Sequence, residues 1–238
     1  MIRFTTLTAG GAPMTVLVGL PDKADKPCPA LVLMPHRNGI DRYTIDRAER
    51  LAAEGIASVA PDVYHRQAMT VPTTVGKDQL DDSEIEADIG AALAFLKADA
   101  RVDNARIGIL GHCQGGRTAL VGLVTYPDDF CMGCIYYGGS IFKRMGGPGP
   151  APFDRMSAIK CPIAGFFGNE DQNPSPADVD RFDAELTRLK IPHEFHRYDG
   201  AGHAFQDFTD KRRSREPQGA QAWETTLEFL RRELRPAA

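Results

Sequence analysis

Short apolar runs alternate with amphipathic segments along most of the chain. Residues 30–34 are continuously apolar, which is typical of a strand buried on both faces of a parallel sheet. In residues 83–98 the apolar side chains recur every three or four positions, the spacing of an amphipathic helix, with Asp82 or Ser83 as its N-cap. This alternation predicts a mostly parallel sheet with helices on both faces.

The first two apolar runs, residues 2–8 and 14–20, flank the turn signal Ala9-Gly10-Gly11 and are predicted to form an antiparallel hairpin at one sheet edge. Further strands are predicted at residues 30–34, 56–60, 106–110, 133–137, 162–167 and 194–198, and helices at residues 43–54, 83–98, 117–126, 176–189 and 218–234. Residues 62–82 show no clear period and are predicted to form a substrate-side loop. The sequence thus predicts a sheet of about eight strands in a single α/β domain over residues 1–238.

The charge, apolar content and cysteine number of the chain disfavour several classes of function. Among 238 residues, 28 Lys and Arg against 32 Asp and Glu leave a net charge of −4, which disfavours a nucleic-acid binder. The sequence opens without a basic and then apolar leader and has no apolar run of about 18 residues, so a cytoplasmic location is expected and membrane binding is not. The five cysteines are an odd number spread through a long chain, which predicts free thiols rather than a disulfide framework.

The most informative motif, Gly111-His112-Cys113-Gln114-Gly115, lies between a predicted strand and a predicted helix. It fits a tight turn in which small neighbours let a nucleophile project from the strand end. Such a turn directs the backbone N–H of Gln114 and the start of the helix toward a developing oxyanion, and it favours a thiolate. Cys113 is therefore the candidate nucleophile, although a small buried cysteine in a glycine-rich turn would show the same pattern.

An acid and a histidine follow on later loops. Gly168-Asn169-Glu170-Asp171 comes after the predicted strand at 162–167, and Gly202-His203-Ala204 comes after the one at 194–198. Nucleophile, acid and histidine is the chain order of the triads on α/β-hydrolase sheets. Because the carboxyl ends of parallel strands meet at one edge, we expect these groups to lie close together.

The sequence resembles the dienelactone hydrolase (carboxymethylenebutenolidase) family of α/β-hydrolases over nearly its whole length. The matching segments are LVLMPHRNGID, APDVYHR, GHCQGGR, CIYYGG, FFGNEDQNPS and AGHAFQ. The resemblance implies a triad of Cys113, Asp171 and His203, with the N–H groups of Gln114 and Arg37 as the oxyanion hole. It also implies a small ester or lactone substrate, with no cofactor and no metal.

Two positions depart from what the resemblance leads us to expect. His36 stands where the family has a glutamate that holds the resting thiol, and Gln206 stands where an arginine would grip the carboxylate of the lactone. His36 could stabilise a thiolate if protonated, hydrogen-bond to substrate, or merely pack at the rim. The physiological substrate is therefore expected to differ from dienelactone.

Several other side chains are candidates for substrate binding. Arginines that could bind a substrate carboxylate in place of the missing family arginine are Arg37, Arg42, Arg66 and Arg144. Aromatic residues that could line the pocket or belong to the core are Tyr64, Tyr137 and Phe205. The basic run at residues 211–213 is most simply a solvated loop. Cys131 and Cys134 have C-x-x-C spacing but enter a strand, so inert buried thiols are favoured over zinc or redox chemistry.

These observations predict a cofactor-independent thiol hydrolase of lactones or activated esters, acting as a monomer or homodimer. Two alternatives stay open. One is a general or serine-type carboxylesterase on the same fold, which the cysteine disfavours. The other is a non-catalytic protein of this fold that binds a small ligand or senses thiol oxidation.

Overall fold

A computed structural model describes residues 1–22, 26–67 and 80–236. One eight-stranded sheet runs through it, in the spatial order β1-β2-β4-β3-β5-β6-β7-β8. The strands are β1 (Ile2–Ala9), β2 (Ala12–Gly19), β3 (Cys28–Met34), β4 (Ala57–Pro61), β5 (Val102–His112), β6 (Gly133–Tyr136), β7 (Ile163–Gly168) and β8 (His193–Tyr198).

The strand directions divide the sheet into two parts. The hairpin of β1 and β2 is antiparallel and pairs with β4 at one edge, and β4, β3, β5, β6, β7 and β8 are mutually parallel. The predicted α/β-hydrolase architecture with an N-terminal edge hairpin is therefore confirmed. The carboxyl ends of six strands meet at one edge, which brings the loops after β3, β5, β7 and β8 together.

Within the described residues, five helices cover the two faces of the sheet: α1 (Arg42–Ala53), α2 (Asp82–Ala98), α3 (Gln114–Thr125), α4 (Pro176–Leu189) and α5 (Glu216–Glu233). A short 3₁₀ helix lies at Phe153–Ala158. Side chains alternate along each strand, so Val32 and Ile109 join one core with α2, α3 and α4, whereas Leu33 and Leu110 join the other with α1 and α5. In the part of the chain that the structure describes, no helix has the length and apolarity needed to cross a membrane.

The structure shifts two predicted boundaries, the start of β5 and the N-cap of α2. β5 begins at Val102 rather than at residue 106. The sequence pattern did not show this start, because the exposed residues Asn104 and Ala105 interrupt the apolar positions of the strand. The N-cap of α2 is Asp81, whose carboxylate accepts the N–H of Ser83, since Asp82 turns inward to a buried ion pair with Arg117. Most of the predicted substrate-side loop, residues 68–79, lies outside the described residues.

Candidate active site

Cys113 projects from the sharp turn between β5 and α3. Its backbone has φ of 56° and ψ of −118°, in the left-handed region that side chains rarely adopt. A Cβ atom at Gly111 would lie 2.0 Å from the carbonyl oxygen of Gly115, and one at Gly115 would lie 2.1 Å from that of Met34. Both positions therefore require glycine, and α3 starts directly beside the end of β3.

His203 lies between Cys113 and a carboxylate. Its Nδ1 is 2.8 Å from Oδ2 of Asp171, and its Nε2 is 2.9 Å from Sγ of Cys113. Asp171 is buried, and its other oxygen accepts the backbone N–H of Asn173 at 2.8 Å. Glu170, the other acid of this loop, lines a pocket of about 500 Å³ that also has Cys113 and His203 in its wall. The structure thus brings together the three residues that the sequence singled out.

The surroundings of His203 favour its charged form. Burial lowers the pKa of His203, but hydrogen bonds with Asp171 and Cys113, together with their negative charges, outweigh that effect and raise the pKa to about 9. An imidazolium therefore persists beside the sulfur at neutral pH, an arrangement that stabilises a thiolate.

Cys113 lies in the walls of a small cavity of about 10 Å³ and of two larger pockets, of about 500 and 780 Å³. Arg37 lines both of the larger pockets. Arg37 follows β3, whose end abuts the start of α3 at Gly115. Gln114 is the first residue of α3, so its backbone N–H has no acceptor within the helix. Arg37 and Gln114 therefore lie on neighbouring segments, after β3 and after β5, on either side of the contact between Met34 and Gly115.

His36 is buried in the wall of the larger pocket, which also contains Cys113 and Tyr137. Its Nε2 lies 2.8 Å from Oδ2 of Asp41, and its Nδ1 lies 3.7 Å from Oδ2 of Asp207. Burial lowers the pKa of His36, but the hydrogen bond to Asp41 and the charges of Asp41, Asp207 and Cys113 raise it above its ordinary value overall. His36 is therefore buried rather than solvated.

Two tyrosines lie close to the reacting groups. The Tyr137 ring packs edge-on against His203, with 5.3 Å between ring centroids. Burial, and secondarily the negative charge of Cys113, raises the pKa of Tyr64 to about 12, so its hydroxyl stays protonated.

The structure corrects the assignment of Gln206 as a substrate-binding residue. Its side chain is buried, accepts a hydrogen bond from the Tyr43 hydroxyl at 2.8 Å and lies 3.0 Å from Nε2 of His112. Its amide nitrogen donates to the carbonyl oxygen of Gly219 at 3.2 Å. Gln206 therefore joins the loop to the core, and the next residue, Asp207, faces the larger pocket instead.

Two further candidates also lie away from both pockets. Phe205 is fully buried between Tyr137 and Tyr198, with ring centroids 5.4 and 5.1 Å away, so it supports the pocket wall from behind. The Arg144 guanidinium donates to the carbonyl oxygen of Gly147 within its own loop. Neither residue lines a pocket that contains Cys113.

The basic run at residues 211–213 is an exposed loop, as interpreted, and it also lines the mouth of the two pockets. Arg212 and Arg213 border both pockets, and Lys211 borders the larger one. Both arginines approach Asp210, at 3.2 and 3.5 Å. The signal in the sequence was the position of this run, eight to ten residues after His203 and before the last helix.

Cys28, Cys131, Cys134 and Cys161 are free thiols. Burial raises the pKa of Cys131 to about 11 and that of Cys161 to about 12, and it raises the pKa of Cys134 well above its usual range. These environments agree with the interpretation of the C-x-x-C pair as inert.

Comparison with known proteins identifies the family of this chain. The model of the dienelactone hydrolase family matches residues 14–234. A Synechocystis sp. protein provisionally named a carboxymethylenebutenolidase is 29% identical over 87% of each chain. A Bradyrhizobium protein named a probable 2-oxo-3-(5-oxofuran-2-ylidene)propanoate lactonase is 31% identical over 85% of this chain and 83% of its own.

A crystal structure titled as a provisional dienelactone hydrolase from Klebsiella pneumoniae superposes with a TM-score of 0.88 at 22% identity, covering 97% of this chain and 98% of its own. This likeness establishes the α/β-hydrolase fold. Because the family model spans nearly the whole chain and one relative exceeds 30% identity, the chain belongs to the dienelactone hydrolase family of ester-bond hydrolases.

Proposed function

We propose that the protein hydrolyses lactones or activated esters through a thioester on Cys113, with His203 and Asp171 completing a catalytic triad. The observation that carries the proposal is the position of His203, 2.9 Å from the sulfur and 2.8 Å from the carboxylate. Nucleophile, base and orienting acid within hydrogen-bond distance of one another are what covalent acyl transfer requires.

In the acylation step, the Cys113 sulfur attacks the carbonyl carbon while its proton resides on His203. The N–H groups of Gln114 and Arg37 receive the oxyanion of the tetrahedral intermediate. The intermediate collapses when the C–O bond of the ester breaks, and the imidazolium of His203 gives its proton to the leaving oxygen. Cys113 is then left as a thioester.

In the deacylation step, His203 takes a proton from water, and the resulting hydroxide attacks the thioester carbonyl. A second tetrahedral intermediate forms in the same oxyanion hole and expels the Cys113 thiolate, which releases the carboxylic acid. Asp171 keeps Nδ1 of His203 protonated, so that Nε2 faces the sulfur and the water in turn.

The nucleophile limits the substrates. A thiolate leaves a tetrahedral intermediate more readily than an ordinary alkoxide or an amine does, so a cysteine enzyme favours esters whose leaving group is a stabilised oxyanion such as an enolate. Lactones of enols meet this requirement, and the lactonase name of the Bradyrhizobium relative supports that class. Peptides do not meet it.

The test compares steady-state hydrolysis of p-nitrophenyl acetate and a panel of enol lactones, including dienelactone, by the wild type and Cys113→Ala. We expect the variant to lose at least about 1,000-fold in kcat/KM, because it lacks the attacking atom. Cys134→Ala, which removes a buried thiol from β6 that lines neither pocket, is the matched control and should keep wild-type kinetics. Full activity in Cys113→Ala would refute the proposal, and a wild type inert on every ester would favour a binding role.

A further inference from the structure

Besides His203, a second histidine faces the pocket that contains the nucleophile. His36 is 6% exposed, and it lines the larger pocket with Cys113. The acyl-transfer steps described above leave His36 without a role. Its environment is unusual because each of its ring nitrogens faces a carboxylate.

The two carboxylates are held in place by their own loops. Asp41 caps α1: its Oδ1 accepts the N–H groups of Tyr43 and Thr44 at 3.0 and 3.1 Å, which leaves Oδ2 directed at His36. Its orientation is therefore fixed by the start of the helix rather than by the histidine.

Asp207 is fixed in the same manner. Its Oδ1 accepts the N–H and the hydroxyl of Thr209 at 2.9 and 2.6 Å, and its Oδ2 faces Nδ1 of His36. A neutral imidazole has one N–H and one nitrogen lone pair, so it can donate a hydrogen bond to only one of the two carboxylates. The imidazolium suits both.

We propose that His36 is a positioning residue that, held as a cation by Asp41 and Asp207, keeps Cys113 as a thiolate in the free enzyme. This inference rests on the proposed function, because it takes Cys113 as the nucleophile. The family glutamate expected at this position is an anion, so here the charge beside the sulfur has the opposite sign.

The charges around His36 fix the direction of the effect. Its neighbours are Asp41, Asp207, Cys113, the Tyr43 ring at 5.3 Å and His112. Burial holds the pKa of His112 well below its usual value, so His112 is neutral. Arg37, Lys211, Arg212 and Arg213 line the same pocket and keep their charge when His36 is replaced. Loss of the His36 charge removes one positive charge beside Asp41 and Asp207, which disfavours a thiolate on Cys113 whatever the net charge of the cluster was before.

The sign of the pH dependence follows. The pKa of His36 is raised, so the cation is present below that value and is lost as the pH rises through it. Support for the thiolate is therefore strongest below the pKa of His36 and weakens as the pH rises through it.

The experiment measures the rate of iodoacetamide alkylation at Cys113 against pH, by peptide mass spectrometry, in wild type, His36→Gln and His36→Lys. We expect His36→Gln to raise the midpoint of the alkylation profile by about one pH unit, which slows alkylation about tenfold below the midpoint. His36→Lys restores a cation and should keep the wild-type midpoint. His193→Gln, which removes a His–Asp183 pair with nitrogen and oxygen 3.2 Å apart, is the matched control and should change nothing.

An unmoved midpoint in folded His36→Gln would overturn the inference, as would a raised midpoint in His36→Lys. If His36→Gln does not fold, His36→Lys decides alone: a wild-type midpoint supports the inference and a raised one refutes it. Failure of the proposed function looks different, because esterase activity would then survive in Cys113→Ala.

Discussion

The environment of each triad residue, rather than its type alone, determines what it can do. Cys113 is one of five thiols, yet it alone among them lies within hydrogen-bond distance of a histidine in the described structure. Burial raises the pKa of Cys131 and Cys161 instead, so those thiols stay protonated. Reactivity therefore follows from the turn that presents Cys113 to His203.

The pKa of His203 yields a prediction at this scale. Burial alone would lower it, and the hydrogen bond with Asp171 is the largest of the effects that raise it to about 9. In wild type we expect kcat/KM to fall above about pH 9, as the imidazolium that protonates the leaving group is lost. In Asp171→Asn this alkaline limb should move to lower pH, and kcat should fall by about 100-fold or more.

The measurement is the pH profile of ester hydrolysis by the two proteins. Asp183→Asn makes the same change in the His193 pair of α4 and β8 and serves as the control. An alkaline limb that stays in place in Asp171→Asn would show that Asp171 does not set the protonation of His203.

At the scale of elements, the segment between β8 and α5 supplies much of the site around the nucleophile that β5 presents. It carries His203 to the sulfur, turns Gln206 into the core, directs Asp207 to His36 and then places Arg212 and Arg213 at the pocket mouth. The nearest carboxylate, Asp210, is shared between two arginines. This mouth therefore carries excess positive charge.

We expect this basic rim to favour anionic esters. In Arg212→Glu/Arg213→Glu, kcat/KM should fall about threefold to tenfold for an ester with a distal carboxylate and change little for its methyl-capped analogue, because exposed charges act weakly. The difference should shrink in about 0.5 M salt. The control is Arg188→Glu/Lys160→Glu, which changes the net charge by the same amount at exposed positions outside the pockets. Equal losses for both esters would contradict a role in recognition.

At the scale of the whole molecule, the parallel sheet brings together residues far apart in sequence. Cys113, Asp171 and His203 follow β5, β7 and β8, whose carboxyl ends meet at one edge. The chain has a net charge of −4, yet the described pocket mouth is basic, so charge distribution rather than total charge bears on the substrate.

Much of this arrangement was predictable from the sequence, and the reasons are local. Continuous apolar runs identify buried strands, and glycines at 111 and 115 identify a turn where no Cβ fits. The directions of Gln206 and Asp207 were not predictable, because they depend on which partners the fold places nearby. The same holds for His36, because one of the two carboxylates beside its ring belongs to Asp207, a residue far along the chain.

The most direct test of the account is capture of the covalent intermediate. Wild-type protein is mixed with excess p-nitrophenyl ester, quenched in acid within the first turnovers and examined as intact protein and as peptides by mass spectrometry. The account predicts a mass increase of one acyl group, located on Cys113, absent in Cys113→Ala and accumulating in Asp171→Asn. Turnover of the ester with no adduct on Cys113, together with undiminished activity in Cys113→Ala, would contradict it.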